Sequence, residues 1–201
     1  MKIICIGRNY AEHAKEMKAE LPKEPVFFMK PETALLKDED FYLPEFTKDL
    51  HHEIELVLKI CKVGKNIQAQ FADKYYNEIG LGIDFTARDL QSNCKSKGLP
   101  WEIAKAFDNS APIGGFIDKS KLEQNNIAFE LKINGISKQI GNSKDLIFSF
   151  NNIIAYVSQF ITLKVGDLIY TGTPEGVGPV KIGDVLEGYI NNDKHLHLNI
   201  K

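Results

Sequence analysis

The chain has 201 residues, 43% of them apolar and 26% charged, an ordinary composition for one globular domain spanning residues 1–201 with a sizeable core. Basic and acidic residues nearly balance, 25 against 27, so no strongly basic face points to nucleic acid. No apolar run approaches the ~18 residues needed to cross a bilayer, and no membrane partner is expected.

In chain order, Lys2 to Ile6 reads as a short strand. It lacks the long apolar stretch and cleavage site of a signal peptide. Asn9 is placed to cap a helix from Tyr10 to about Glu20, with Glu12 three residues on in capping-box position. Val26 to Met29 reads as a strand. From His51 to Ile60 the residues alternate: Ile54, Leu56, Leu58 and Ile60 on one side, His51, Glu53, Glu55 and Val57 on the other. Phe71 to Glu78 is compatible with a helix and Leu81 to Phe85 with a strand. Thr86 then caps a helix to about Lys97, ended by Gly98. Ile127 to Ile140 is a hairpin turning at Asn134–Gly135. Ser149 to Ile161 is helical, and short strands follow, broken at Gly166–Asp167, Thr171 to Pro179 and Gly183–Asp184. Strands outnumber helices without regular interleaving, which favours an α+β, mainly β domain.

Cys5, Cys61 and Cys94 are odd in number and not at zinc-finger spacing. They favour a reducing, cytoplasmic compartment over a disulfide framework.

The chemistry-bearing residues begin with Glu53 and Glu55. Two apart on a strand, they share a face and can lean onto one hard cation such as Mg²⁺, which prefers oxygen ligands. A solvated polar strand face is the ordinary alternative. Asp84, ending an apolar strand, is a third carboxylate, though such a residue often only forms a turn. Arg88 and Gln91 share a helix face and could present donors to an oxyanion. His13 and Glu16, three apart on the first helix, could activate water as a base and its partner, although exposed His–Glu pairs are usually idle. The hydroxyls and backbone N–H groups of Thr171 to Pro179 could hold a carboxylate, but the loop is neither a Walker loop nor a dinucleotide fingerprint.

Together these segments resemble the fumarylacetoacetate hydrolase family, in its short acylpyruvate hydrolase and oxaloacetate decarboxylase-like branch. The resemblance rests on their order: Gly7-Arg8-Asn9-Tyr10 with His13 and Glu16; Lys30-Pro31; His51-His52-Glu53-Ile54-Glu55; Gly82-Ile83-Asp84 through Gln91; Gly98-Leu99-Pro100-Trp101 to Lys105; and Thr171-Gly172-Thr173-Pro174 to Pro179. It implies a layered β-roll with a few flanking helices, assembled as a homodimer, with a helical lid within residues 1–25. It implies metal ligands at Glu53, Glu55 and Asp84, substrate contacts at Arg88, Gln91 and Thr173, and catalytic roles for Lys105, His13 and Glu16. The implied metal is Mg²⁺ or Mn²⁺, with Ca²⁺ able to replace it in crystals.

The implied activity is cleavage of a C–C bond in a small 2-oxo acid, the metal stabilising the resulting pyruvate enolate. An acylpyruvate would be hydrolysed, and oxaloacetate could be decarboxylated. A 2-hydroxyhepta-2,4-diene-1,7-dioate isomerase or an oxaloacetate tautomerase is the alternative within the family. A metal-dependent nuclease and a non-catalytic binding protein are more distant ones. Glu32, after Lys30-Pro31, stands where a small polar residue is common, and the sequence leaves open whether it faces the site.

Overall fold

The structure, a computed structural model, describes residues 1–17 and 20–201. In chain order its elements are β1 (Ile3–Gly7), α1 (Ala11–Glu16), β2 (Val26–Lys30), β3 (Leu35–Leu36), β4 (Asp40–Phe41), β5 (Leu50–His52), β6 (Ile54–Ile60), β7 (Tyr76–Ile83) and β8 (Thr86–Ala87). There follow α2 (Arg88–Lys97), α3 (Glu102–Lys105), β9 (Ala111–Asp118), β10 (Ala128–Ile133), β11 (Ile136–Asn142), α4 (Phe150–Phe160), β12 (Leu168–Tyr170), β13 (Gly178–Pro179), β14 (Val185–Ile190) and β15 (Asp193–Ile200).

The strands form a seven-stranded sheet in the order β2-β1-β12-β6-β7-β9-β3 and a five-stranded sheet in the order β11-β10-β14-β15-β4, beside a small β13-β5-β8 sheet. The two large sheets enclose the main core. Ile4, Leu56, Leu58 and Leu81 of the first meet Phe129, Leu131, Leu186 and Leu198 of the second. Gly188 lets the layers approach closely, since a Cβ there would meet Leu81 at 2.6 Å. This is the mainly β architecture with few helices that the strand count predicts.

The hairpin and the long helix form as their local sequence predicts. Asn134 and Gly135 both take positive φ, 52° and 76°, as a type I′ turn requires. Ser149 caps α4, its hydroxyl accepting from Asn152 N at 3.3 Å, while Phe150, Ile153, Ile154 and Val157 are buried.

Four local expectations fail where tertiary partners compete. Asn9 does not cap α1, which has Tyr10 at its N-cap without a side-chain bond. Instead the Asn9 amide donates to Phe148 O and Thr171 O and accepts from Phe148 N. The helix is described only to Glu16; part of its expected C-terminal extension, residues 18–19, lies outside the described residues. Thr86 belongs to β8 and α2 starts from Ala87, although Gly98 ends it in the left-handed conformation at φ 64°. Phe71 to Glu78 divides into a 3₁₀ segment, Ala69–Tyr75, and the start of β7. The strand expected from His51 to Ile60 breaks at Glu53 between β5 and β6.

Candidate functional site

The pairing of β6 with β7 sets the position of three carboxylates. Ile54 lies opposite Ile83 and Glu55 opposite Gly82. Asp84 N then donates to Glu53 O at 2.8 Å, extending the ladder by one pair. Residues two apart on a strand, and residues opposite each other across an antiparallel pair, share a face. Glu53, Glu55 and Asp84 therefore converge. One oxygen from each lies within 4.8 Å of the other two, and all three residues are buried.

Three cations face them. Lys105, ending α3, donates to Glu53 Oε2 at 2.9 Å and Asp84 Oδ2 at 2.7 Å. Arg88, opening α2, donates from Nη2 to Glu53 Oε1 at 2.6 Å and from Nη1 to Gln91 Oε1 at 2.8 Å. Lys30, buried at the end of β2, stands 2.8 Å from Asp84 Oδ1. The same ammonium also donates to Phe85 O, Ser110 O and Ser110 Oγ.

The electrostatics separate the two glutamates. Burial works to raise Glu53, but the charges of Lys105 and Arg88 overcome it and hold the carboxyl well below the usual range. Burial pushes Glu55 well up, reinforced by the Asp84 charge and opposed by the N–H of Gly172, which donates to Glu55 Oε2 at 2.7 Å. Burial also works against the charge on Lys105, yet Asp84 and Glu53 raise it above the ordinary lysine value.

A buried Glu55 that resists ionisation, with an oxygen each of Glu53 and Asp84 within 4.8 Å, fits a divalent cation held by oxygen ligands. Glu53, Glu55 and Asp84 are the residues that would hold it.

The Thr171–Pro179 loop closes another side. Gly172 takes φ 105°, and a Cβ there would meet Asn9 Cβ at 2.6 Å, so the Asn9 lock requires glycine here. Thr173 is buried and accepts from Gln139 Nε2 at 2.8 Å. Gln139 Oε1 receives Ile54 N at 3.1 Å and meets His52 Nδ1 at 2.9 Å. One amide thus ties the kink before β6 to the loop that carries Thr173. Burial holds the His52 ring below its ordinary pKa, against the hydrogen bond to Gln139. On α1, His13 Nδ1 lies 3.1 Å from Glu16 Oε2, and Glu16 Oε1 accepts from Gly176 N at 3.1 Å.

Eight of the nine expected site residues line one cavity of about 60 Å³: His13, Glu53, Glu55, Asp84, Arg88, Gln91, Lys105 and Thr173. Glu16 stands behind His13. Glu32 points away, exposed, and pairs with the N-terminal amine of Met1. A far larger cavity, about 570 Å³, lies elsewhere against Lys59, Phe116 and His195 and contains none of these residues. Converging buried charge marks the site here, and cavity size does not.

Sequence reading quoted Lys30 only as half of a Lys-Pro pair without a role, and it missed Gln139. A lysine before a proline at a strand end carries no sign that it will be buried. Gln139 did leave a trace: it is buried beside Ile140, which is 67% exposed, an inversion of polar and apolar positions along β11.

Comparison with known proteins agrees with this geometry. The family model for the fumarylacetoacetate (FAA) hydrolase C-terminal region matches residues 2–197. The chain is 43% identical over 201 residues to the mitochondrial oxaloacetate tautomerase FAHD1 of Mus musculus, covering 99% of this chain and 91% of that protein. It is 44% identical over 189 residues to the mitochondrial oxaloacetate decarboxylase of Dictyostelium discoideum, covering 92% and 87%. Among solved structures it is similar to the fumarylpyruvate hydrolase of Pseudomonas aeruginosa in complex with Mn²⁺ and pyruvate, with TM-score 0.94, 38% identity and coverage of 100% and 89%. With the architecture, the converging carboxylates and a match along nearly its whole length, the chain belongs to the fumarylacetoacetate hydrolase family of enzymes.

Proposed function

We propose that this chain is a divalent-metal-dependent enzyme that cleaves a C–C bond in a small 2-oxo acid, of the acylpyruvate or oxaloacetate kind. The observation that carries the reading is the convergence of Glu53, Glu55 and Asp84 with Lys105 and Arg88 in one buried cavity. Glu53, Glu55 and Asp84 would hold the ion, Mg²⁺ in this reading with Mn²⁺ the alternative, and it would supply a Lewis acid for charge on the 2-oxo oxygen.

The protein's own groups do the rest. Lys105 is held protonated by Asp84 and Glu53 and keeps one N–H for a substrate oxygen. Arg88, which lines the cavity, has a buried Nε without a partner among the described residues, and so keeps a second donor for developing negative charge. Gln91 fixes the Arg88 guanidinium, and Thr173 presents a hydroxyl to the substrate carboxylate. In hydrolysis Glu16 holds the His13 ring through Nδ1, leaving Nε2 to take a proton from the attacking water. The bond from Gly176 to Glu16 holds α1 over the cavity as a lid.

Decarboxylation or tautomerisation of oxaloacetate is the second reading, favoured by relatives of 43% and 44% identity that bear those names. Decarboxylation needs no attacking water and hence no His13–Glu16 pair to activate one, whereas tautomerisation moves a proton and still needs a base. Purified protein with Mg²⁺ should turn over acetylpyruvate, EDTA should abolish this, and Glu16→Ala should lose it while sparing oxaloacetate decarboxylation. Turnover of oxaloacetate alone moves the assignment to the second reading, and EDTA-resistant activity removes the metal.

A homodimer in a reducing, cytoplasmic compartment belongs to the same proposal. Val26 and Met29 on the edge strand β2 are exposed, which suits a second copy, and the three cysteines are unbonded. A monomer mass by light scattering at micromolar concentration would remove the dimer.

A further inference from the structure

Gln139 does not line the cavity, and the chemistry above gives it no part. A local irregularity in β11 nevertheless delivers it there. Counted from the Asn134–Gly135 turn, Ile133 pairs with Ile136 and Lys132 with Ser137, which would set Lys138 opposite the core residue Leu131. An extra residue intervenes, and Gln139 takes that place. A bulge of this kind exchanges the faces of the strand beyond it and commonly re-aims a side chain next to an active site. Here it buries an amide and leaves Ile140 exposed. The loop that carries Thr173 packs on the same bulge: Gly176 takes φ 93°, and a Cβ there would run into Lys138 O.

The partners of the amide fix which way round it lies. A backbone N–H can only donate and a backbone carbonyl can only accept. Ile54 N donates to Gln139 Oε1 at 3.1 Å, and Nε2 donates to Pro174 O at 2.9 Å. The second proton of Nε2 goes to Thr173 Oγ1 at 2.8 Å, and the second lone pair of Oε1 meets His52 Nδ1 at 2.9 Å. All four hydrogen-bonding positions of the amide are used. An amide nitrogen accepts nothing, so the Thr173 hydroxyl is the acceptor at this bond and its own proton is left over. Among the described residues no acceptor takes that proton, and Thr173 lines the cavity.

We propose that Gln139 is a positioning residue: by occupying the acceptor side of the Thr173 hydroxyl, it keeps the hydroxyl proton directed into the cavity for the carboxylate next to the 2-oxo group. The inference rests on the proposed function, which puts that carboxylate against Thr173. The carboxylate keeps its charge throughout the reaction, so a donor to it binds ground state and transition state alike. Loss of such a donor raises KM and spares kcat.

The test is steady-state kinetics with Mg²⁺ on Gln139→Glu, Thr173→Val and the double variant. The substrate is acetylpyruvate, or oxaloacetate should wild type turn over that alone. A carboxylate at position 139 offers no proton and turns the Thr173 hydroxyl towards itself. Each single variant should raise KM about tenfold, the size of one charge-assisted hydrogen bond, with kcat within about twofold of wild type. Mg²⁺ affinity by calorimetry should not change. The double variant should be no worse than Thr173→Val, because both substitutions remove the same hydroxyl proton. KM effects that multiply overturn the inference, since a carboxylate that only repelled the substrate, or a clamp that only held the fold, would act without Thr173. An unchanged KM in Gln139→Glu overturns it too, as does a loss confined to kcat. Wild type that binds Mg²⁺ but turns over neither acid removes the 2-oxo acid reading, and the inference with it. Melting curves accompany each variant; should Gln139→Glu not fold, Gln139→Met, which removes the donors without adding charge, decides by the same cycle.

Discussion

On one face of β6, Ile54, Leu56, Leu58 and Ile60 are 1% exposed or less and join the main core. On the other face Glu55, as deeply buried, stands with Val57, and Glu53 precedes them at the break. Both faces are dry, yet water was removed from them at opposite cost. Apolar side chains gain by leaving water, about 25 cal/mol per Å². A carboxylate loses by it unless a charge or donor replaces the solvent. Lys105 and Arg88 do so for Glu53, whereas Glu55 has one backbone N–H and an adjacent Asp84. The contrast teaches that one strand builds stability with one face and stores an electrostatic deficit on the other, a deficit that a cation can relieve.

The largest effect should follow from breaking the stabilising face. Leu56→Ala should cost about 3–5 kcal/mol in urea unfolding, while the folded fraction keeps its affinity for Mg²⁺. A loss below about 1 kcal/mol would mean that the core collapses around the gap.

Breaking the charged face comes next. Glu53→Ala should weaken divalent-cation binding more than about 100-fold in calorimetry, beyond the 10–100-fold typical of residues that only support a ligand. Unchanged affinity would take Glu53 out of the ligand set.

The smallest effect sharpens the comparison. Glu55 is held above its unfolded pKa, so its contribution to folding is fully present below about pH 4.5 and lost as pH rises towards the folded value. Metal-free protein should therefore lose stability above about pH 4.5, by up to about 1.4 kcal/mol per pH unit. Glu55→Gln, or added Mg²⁺, should flatten this slope. Glu53 has the opposite sign: it is held low, so its contribution is present above about pH 4.5 and lost as pH falls. The two windows do not overlap. Identical pH–stability curves for wild type and Glu55→Gln without metal would show that Glu55 carries no electrostatic cost.

What could be read in the sequence divides along the same physical line. The Asn134–Gly135 turn, the Ser149-capped α4 and the Gly98 helix stop are set by φ preferences and caps within a few residues, and each was legible. The glutamates two apart and the His13–Glu16 pair were legible too, because strand and helix periods act over the same short range. Asp84 could be named as a third carboxylate, but only the Ile54–Ile83 register brought it opposite Glu53. Asn9 and Thr86 look like helix caps from their neighbours alone, and distant partners claimed both.

The sequence by itself determined the mainly β class, the turns, and most of the side chains that could do chemistry, since propensity and spacing are local. Tertiary structure alone decided which of those side chains meet. It buried Lys30 behind Asp84, made Gln139 the clamp between His52 and Thr173, and held Arg8 at positive φ beside the cavity. Each of these depends on contacts between residues far apart in the chain, whose free energy only the assembled core supplies.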